Sequence, residues 1–145
     1  MSYQDLYKNK LITIPEAVSM VKSNQIVGTS IIGSEPPGLM AELGNHKDRL
    51  ENVDVYVCLP MREYSYMSDD SMAGHFNVNS WFYSGQERGM HKSGRISYCP
   101  NNLHTAASLL LNHSKNHINV FFGIATPPDD KGYMSLSLGL IVEKQ

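Results

Sequence analysis

Apolar residues along the chain form helix-like and strand-like groups that alternate. The motif Thr-Ile-Pro-Glu at residues 13–16 predicts a helix start, because Thr13 can cap the helix and Glu16 stands three residues later. The apolar residues that then share one helical face are Ile14, Ala17, Val18 and Val21. A second helix is predicted from Leu39 to Leu50. A third is predicted after Asn101 or Asn102, with a stripe of Leu103, Ala106, Ala107, Leu110 and Leu111.

Strand-like runs separate these helices. The predicted strands are 25–31, 53–59, 75–83, 95–99 and 118–125, of which 75–83 alternates weakly and 118–125 has the strongest pattern. Segment 53–59 is nearly all apolar, which is typical of a parallel strand covered on both faces. Residues 61–74 mix polar and aromatic side chains and predict no clear element. The alternation indicates an α/β protein, a three-layer α/β/α domain with a mainly parallel sheet.

Composition narrows the functional classes. The 145 residues are 41% apolar and 18% charged with a net charge of -2, which indicates one soluble domain and no nucleic-acid or membrane partner. The N-terminus carries no signal pattern, and no apolar run is long enough to span a bilayer. We expect Cys58 and Cys99 to be buried free thiols, and therefore a cytoplasmic location.

The loop at residues 33–38 is the first candidate site. It joins the first predicted strand to the second helix, and ligands of parallel sheets bind at such strand ends. Its glycines would let backbone amides approach a ligand, and the helix N-terminus favours negative charge. A tight connection with proline near the helix start explains the loop equally well. The glycine spacing matches neither a P-loop nor a dinucleotide fingerprint.

Other candidate sites have ordinary explanations. His113 and His117 have metal-ligand spacing, but polar neighbours indicate a solvated helix end. Asp129 and Asp130 could bind a cation, whereas turn chemistry needs only proline, an aspartate bonded to its own backbone and Gly132 at positive φ. Ser34 lies in no nucleophile elbow, which argues against a serine hydrolase.

Four segments carry a resemblance that covers nearly the whole chain in order. They are "YKNKLITIPEAVSMVKSNQIVGT", "GSEPPGLMAELGNHKDRLENVDVYV", "SWFYSGQERGMHKSGRISYCPNNLHTAASLL" and "INVFFGIATPPDDKGYMSLSLG". The chain resembles the N-terminal part of the acetyl-CoA hydrolase/transferase family, especially its 4-hydroxybutyrate and butyrate/acetate CoA-transferases. The final segment, with its Thr-Pro-x-Asp-x-x-Gly-Tyr turn, is the most specific of the four.

The resemblance implies a reaction and an incomplete protein. Family members have two α/β domains, and a glutamate of the second domain attacks the acyl-CoA thioester, which gives an acyl-glutamyl anhydride and then a glutamyl-CoA thioester. No segment of this chain resembles the one that carries that glutamate, so the catalytic residue is unknown here. We therefore expect residues 1–145 to be an N-terminal CoA-transferase domain truncated before its last helix and strand. The C-terminal domain would be missing, and the chain alone inactive.

The resemblance also implies substrates and contacts. Coenzyme A is expected as a substrate together with short carboxylic acids, without a metal, and exposed apolar surface is expected to cause self-association into a homo-oligomer. Residues expected to bind substrate are Gly33, Ser34, Glu35, Pro36, Tyr98 and Asn101, with Pro100 and the turn residues Pro127, Asp129, Gly132 and Tyr133 nearby. Two alternatives remain: an acyl-CoA hydrolase of the same family, and a non-catalytic small CoA- or nucleotide-binding module.

Overall fold

The computed structural model describes residues 2–112, 117–136 and 138–139. Helices and strands alternate through most of this length. The helices are α1 (Tyr3–Lys10), α2 (Ile14–Ser19), α3 (Pro37–Asn45), α4 (Ser65–Ser68), α5 (Gly85–Met90) and α6 (Leu103–Asn112). The strands are β1 (Ile26–Thr29), β2 (Val53–Val57), β3 (Phe76–Ser80), β4 (Ile96–Tyr98) and β5 (Val120–Phe122). Short 3₁₀ turns lie at Ile32–Ser34, Lys47–Arg49, Asp70–Met72 and His91–Ser93.

Among the described residues, three helices begin with a capping box, in which a hydroxyl and a carboxylate bond each other's backbone amides. Thr13 and Glu16 form the predicted box of α2. The same arrangement starts α1 at Ser2 and Asp5, and α5 at Ser84 and Glu87. Neither α1 nor α5 was expected, although both carry the hydroxyl-x-x-acid signal in the sequence.

The five strands form one parallel sheet, which confirms the predicted fold class. Their order is β4-β3-β2-β1-β5, and every neighbouring pair is parallel. Strands β1 to β4 lie side by side in the order of the sequence, and β5 pairs with the other edge of β1. All carboxyl ends therefore lie along the same edge of the sheet.

The main core covers one face of the sheet. In β2 the side chains of Val53, Val55 and Val57 are buried on this face, against apolar residues of α2, α3 and α4. A smaller cluster lies on the opposite face. Its buried members are Ile31, Cys58, Trp81 and Ala106, the last of which is on α6. Helices thus pack on both faces, as in a three-layer domain.

Several predicted bounds were wrong. The strand expected at 118–125 is only Val120–Phe122, because β1 beside it ends at Thr29 and provides no further pairing. The helix expected to run from Leu39 to Leu50 begins two residues earlier and ends at Asn45, where Gly44 and Asn45 are poor helix formers.

Burial also departs from expectation in two places. Asp54 and Tyr56 of β2 are only partly buried, so this strand is not equally covered on both faces. Cys58 is a buried free thiol as predicted, whereas Cys99 is only partly buried. No helix in the described residues is long and apolar enough to cross a membrane.

Candidate functional site

A cavity opens where the first four strands end. It has a volume of about 370 Å³, and we call it the strand-end cavity. Its lining residues are Ile31, Ile32, Cys58, Leu59, Trp81, Phe82, Asn101, Asn102 and Leu103. They come from the loops after β1, β2, β3 and β4, and the last belongs to α6. The walls are therefore apolar, with two side-chain amides on one side, which is typical of a small-molecule site.

Two wall residues of the strand-end cavity have unusual backbone conformations. Ile32 has φ of 50° and Leu59 has φ of 51°, in the left-handed region that β-branched and bulky residues avoid. Both residues also line an adjoining depression of about 270 Å³. Such conformations cost energy, and they cluster at ligand sites where the surrounding structure holds them. Ile32 and Leu59 thus combine a costly backbone conformation with a place in the cavity wall.

Glu35 joins two of the loops that form the cavity. Its carboxylate accepts hydrogen bonds from the amide of Met61, at 2.7 Å, and from the hydroxyl of Tyr64. The carboxylate is thereby turned inward, and Glu35 is only 7% exposed. Burial raises the pKa of Glu35 above its ordinary value, although the Met61 hydrogen bond and the charge of Arg62 act in the opposite direction. Glu35 thus links the loop after β1 to the loop after β2.

A second buried carboxylate lies beneath the loop after β3. Glu87 is 0% exposed, and its Oε2 accepts a hydrogen bond of 2.7 Å from the amide of Ser84. Its Oε1 is buried and has no hydrogen-bond partner among the described residues. After burial, the negative charge of Glu87 is the second cause that raises the pKa of Cys58, which reaches about 11. The cavity wall at Cys58 therefore carries a neutral thiol.

The expected site residues are distributed over several environments. Asn101 lines the strand-end cavity, and Tyr98 lines a neighbouring cleft. Ser34, Glu35 and Pro36 are buried in the loop after β1. At Gly33 an added Cβ would lie 2.7 Å from Leu138 Cδ1. The absence of a side chain at Gly33 therefore permits the close approach of Leu138.

Sequence reasoning missed most of the apolar lining. Ile32, Leu59, Trp81 and Phe82 were not among the expected site residues, although each lies just past the end of a strand. Their position just past the strand ends could have identified them as candidate site residues, because ligands bind at the carboxyl edge of a parallel sheet.

The turn near the C-terminal end of the described chain is confirmed. Asp129 Oδ1 accepts hydrogen bonds of 2.9 Å from the amides of Lys131 and Tyr133, and Gly132 has φ of 86°. Gln4 of α1 donates a hydrogen bond of 2.6 Å to the carbonyl of Pro128. The turn thus packs against α1, and within the described residues none of its members lines the strand-end cavity.

Metal binding has no geometric support in the part of the chain that is described. No group of three or more histidine, cysteine or acidic side chains converges there. His117 is exposed, and His113 lies outside the described residues.

Comparison with known proteins identifies a family that the chain matches. Residues 1–145 match the family model described as the acetyl-CoA hydrolase/transferase N-terminal domain. The butyryl-CoA:acetate CoA-transferase of Anaerostipes caccae is 30% identical over 135 residues, which are 93% of this chain and 30% of that protein. The 4-hydroxybutyrate coenzyme A transferase of Clostridium kluyveri is 28% identical over 138 residues, 95% of this chain and 32% of that protein.

A solved structure agrees with these relatives. RipA from Yersinia pestis superposes with a TM-score of 0.78 at 26% identity, covering 94% of this chain and 33% of RipA. The chain therefore spans about a third of the length of the proteins that it matches.

Proposed function

Because the chain belongs to the acetyl-CoA hydrolase/transferase family, we propose that it forms the first part of a CoA-transferase for short acyl groups. The reaction moves coenzyme A from a short-chain acyl-CoA to a carboxylic acid. The observation that carries this proposal is the strand-end cavity, which combines apolar walls with the amides of Asn101 and Asn102. The named relatives act as CoA-transferases, which favours transfer over hydrolysis within the family.

The cavity walls suit a short acyl chain. Ile32, Leu59 and Phe82 offer hydrocarbon surface, and the volume of about 370 Å³ is near the lower end of the range for small-molecule sites. The amide of Asn101 is a hydrogen-bond donor for the thioester carbonyl or for the acceptor carboxylate. We assign the acyl group to the apolar wall and the polar end of the substrate to the two asparagines.

The nucleophile comes from outside this chain in our proposal. A nucleophilic carboxylate must reach the thioester carbon. The carboxylate of Glu35 is already bonded by Met61 and Tyr64, and Glu87 is fully buried. Neither side chain is available to attack a substrate in the cavity. We expect purified 145-residue chain to produce no acetyl-CoA from butyryl-CoA and acetate, and turnover by the pure chain would contradict this assignment.

Trp81 provides a direct binding test, because it lines the cavity and is the single tryptophan of the chain. We expect titration with S-butyryl-pantetheine, which lacks the nucleotide, to change Trp81 fluorescence saturably. Leu59→Asn keeps a residue that tolerates the left-handed conformation but removes hydrocarbon from the wall. It should weaken binding about tenfold, roughly the loss of most of one buried aliphatic side chain.

The matched control is Leu11→Asn, since Leu11 is 58% exposed and does not line the cavity. Its affinity for S-butyryl-pantetheine should equal that of the wild type. The assignment of the acyl site fails if the fluorescence does not saturate, or if the two asparagine variants bind equally well.

A further inference from the structure

A second cleft lies beside the strand-end cavity, past the ends of β3 and β4. Its volume is about 320 Å³, and we call it the aromatic cleft. It is lined by Phe82, Tyr83, Arg88, His91 and Tyr98. Only Phe82 also lines the strand-end cavity, so the remaining residues have no part in the proposed acyl site.

Tyr83 contacts two of the other residues that line the cleft. Its ring centroid lies 5.2 Å from that of Tyr98 and 5.5 Å from that of His91, in tilted arrangements that aromatic pairs favour. Its hydroxyl lies 2.9 Å from His91 Nδ1 and 3.2 Å from the carbonyl oxygen of Ile96. The rings of His91 and Tyr98 are therefore positioned around a fixed centre rather than left to move independently.

Apolar ring surface is exposed in this cleft. Phe82 is 54% exposed and Tyr98 is 50% exposed, although both are large aromatic residues. Two exposed aromatic rings that line the same cleft provide stacking surface for a flat ring.

The cleft also carries unneutralised positive charge. The side chain of Arg88 has no hydrogen bond or ion pair within the described residues, and the ring of His91 is bonded only through Nδ1. The neighbouring acid, Glu87, is turned into the interior and bonds the Ser84 amide. A guanidinium without a carboxylate partner favours a planar oxyanion, which it can bind with two parallel hydrogen bonds.

We propose that the aromatic cleft binds a ligand that combines a flat ring with an oxyanion. The ring stacks on the exposed faces of Phe82 and Tyr98, and the oxyanion pairs with Arg88 and His91. Oxyanion binding at His91 Nε2 selects the tautomer with its proton on that nitrogen, for which the Tyr83 hydroxyl must turn its single proton from the Ile96 carbonyl to Nδ1. Two sources supply this chemistry: a nucleotide, with base and phosphate, and an aromatic carboxylic acid.

The test is titration of the chain by saturation-transfer NMR with AMP in one arm and benzoate in the other. We expect at least one of them to bind saturably below about 10 mM, and the tighter arm identifies the source. Adenosine and inorganic phosphate, each holding half of the AMP chemistry, should bind at least about tenfold more weakly than AMP if the nucleotide is the source. The proposal is overturned if neither AMP nor benzoate saturates.

Variants separate the cleft from nonspecific attraction. Arg88→Gln and Phe82→Ala should each weaken the preferred ligand about tenfold or more, because one removes the charge and the other the stacking surface. Lys92→Gln removes an exposed cation next in sequence to His91 but outside the cleft lining, and should change affinity less than about twofold. Equal weakening by Arg88→Gln and Lys92→Gln would show only general attraction to positive charge and would contradict the proposal.

Arg88→Gln tests the cleft independently of the acyl site, whereas Phe82 lines both. Arg88→Gln should leave the Trp81 response to S-butyryl-pantetheine unchanged, since Arg88 does not line the strand-end cavity. Failure of either titration therefore identifies which of the two sites is wrong.

Discussion

The two faces of the sheet are built from the same strands but have different roles. On the first face, Val53, Val55 and Val57 of β2 are buried in the main core. On the second, Asp54 and Tyr56 of the same strand are only partly buried, and the small cluster around Trp81 borders a cavity. Strand side chains alternate between faces, so one strand can stabilise the fold and line a site at once. The difference predicts where a substitution should affect stability and where it should affect binding.

A pair of phenylalanines tests this difference most strongly. Phe76 is 2% exposed in the main core, whereas Phe82 is 54% exposed at the cavity. Phe76→Ala should lower the free energy of unfolding by about 3–5 kcal/mol, through lost burial and the space left behind. Phe82→Ala should change it by about 0.5 kcal/mol or less. Urea unfolding of both variants measures the two values, and similar losses would mean that the faces do not differ in this way.

Thiol labelling examines the second face. Burial, followed by the charge of Glu87, raises the pKa of Cys58 from 9.0 to about 11. This shift lowers the reactive thiolate fraction about a hundredfold below pH 9. Burial also raises the pKa of Cys99, but this side chain is only partly buried, so iodoacetamide should label Cys99 well before Cys58 in the native chain. Peptide mass spectrometry distinguishes the two sites, and rapid labelling of Cys58 would show that the cavity exposes it to solvent.

Glu35 connects the two sides, because it bonds Tyr64 of the main core while its loop carries Ile32 of the cavity. Burial is the main cause that raises its pKa. When the folded-state pKa of a group is raised, the group stabilises the fold at pH values below its unfolded-state pKa. That stabilisation is lost as pH rises through the folded-state pKa. The unfolding free energy of wild type minus that of Glu35→Gln should therefore decrease as pH rises above the ordinary glutamate pKa of about 4.3.

Glu16 supplies a control of opposite sign. Hydrogen bonds from the side chain and backbone of Thr13 lower the pKa of Glu16. Its stabilisation is present above the unfolded-state value and is lost as pH falls through the lowered folded-state pKa. The difference between wild type and Glu16→Gln should therefore increase as pH rises from about 3 to 5. A Glu35 difference that rises in the same way would show that hydrogen bonds outweigh burial there.

Much of the fold could be predicted from periodicity. The apolar run at Val53–Val57 and the stripe that begins at Leu103 gave a strand and a helix in the right places. Parallel pairing followed from their alternation with helices. Strand lengths could not be predicted in the same way, because the length of β5 depends on its partner β1 and not on its own apolar residues.

The candidate site was harder to predict for two physical reasons. Asn101 could be placed near a strand end from its position together with the family resemblance, and it does line the cavity. The inward turn of Glu35 depends on Met61 and Tyr64, which lie in a segment without a clear pattern. The positive φ values of Ile32 and Leu59 contradict local preference and are imposed by the surrounding fold. The roles of the expected substrate-binding residues and the expected self-association stay predictions.

The placement of β5 beside β1 has a consequence for synthesis. The amide of Ile26 bonds the side-chain oxygen of Asn119 across 93 residues of sequence, whereas β1 to β4 pair with successive neighbours. On the ribosome, β1 to β4 emerge and can pair while one edge of β1 still lacks its neighbour. Uncovered edges attract other chains, and pairing across long separations is slow. Assembly of this domain is therefore most vulnerable to aggregation in the interval before β5 is synthesised. The exposed edge in that interval belongs to β1, which lies in the interior of the completed sheet.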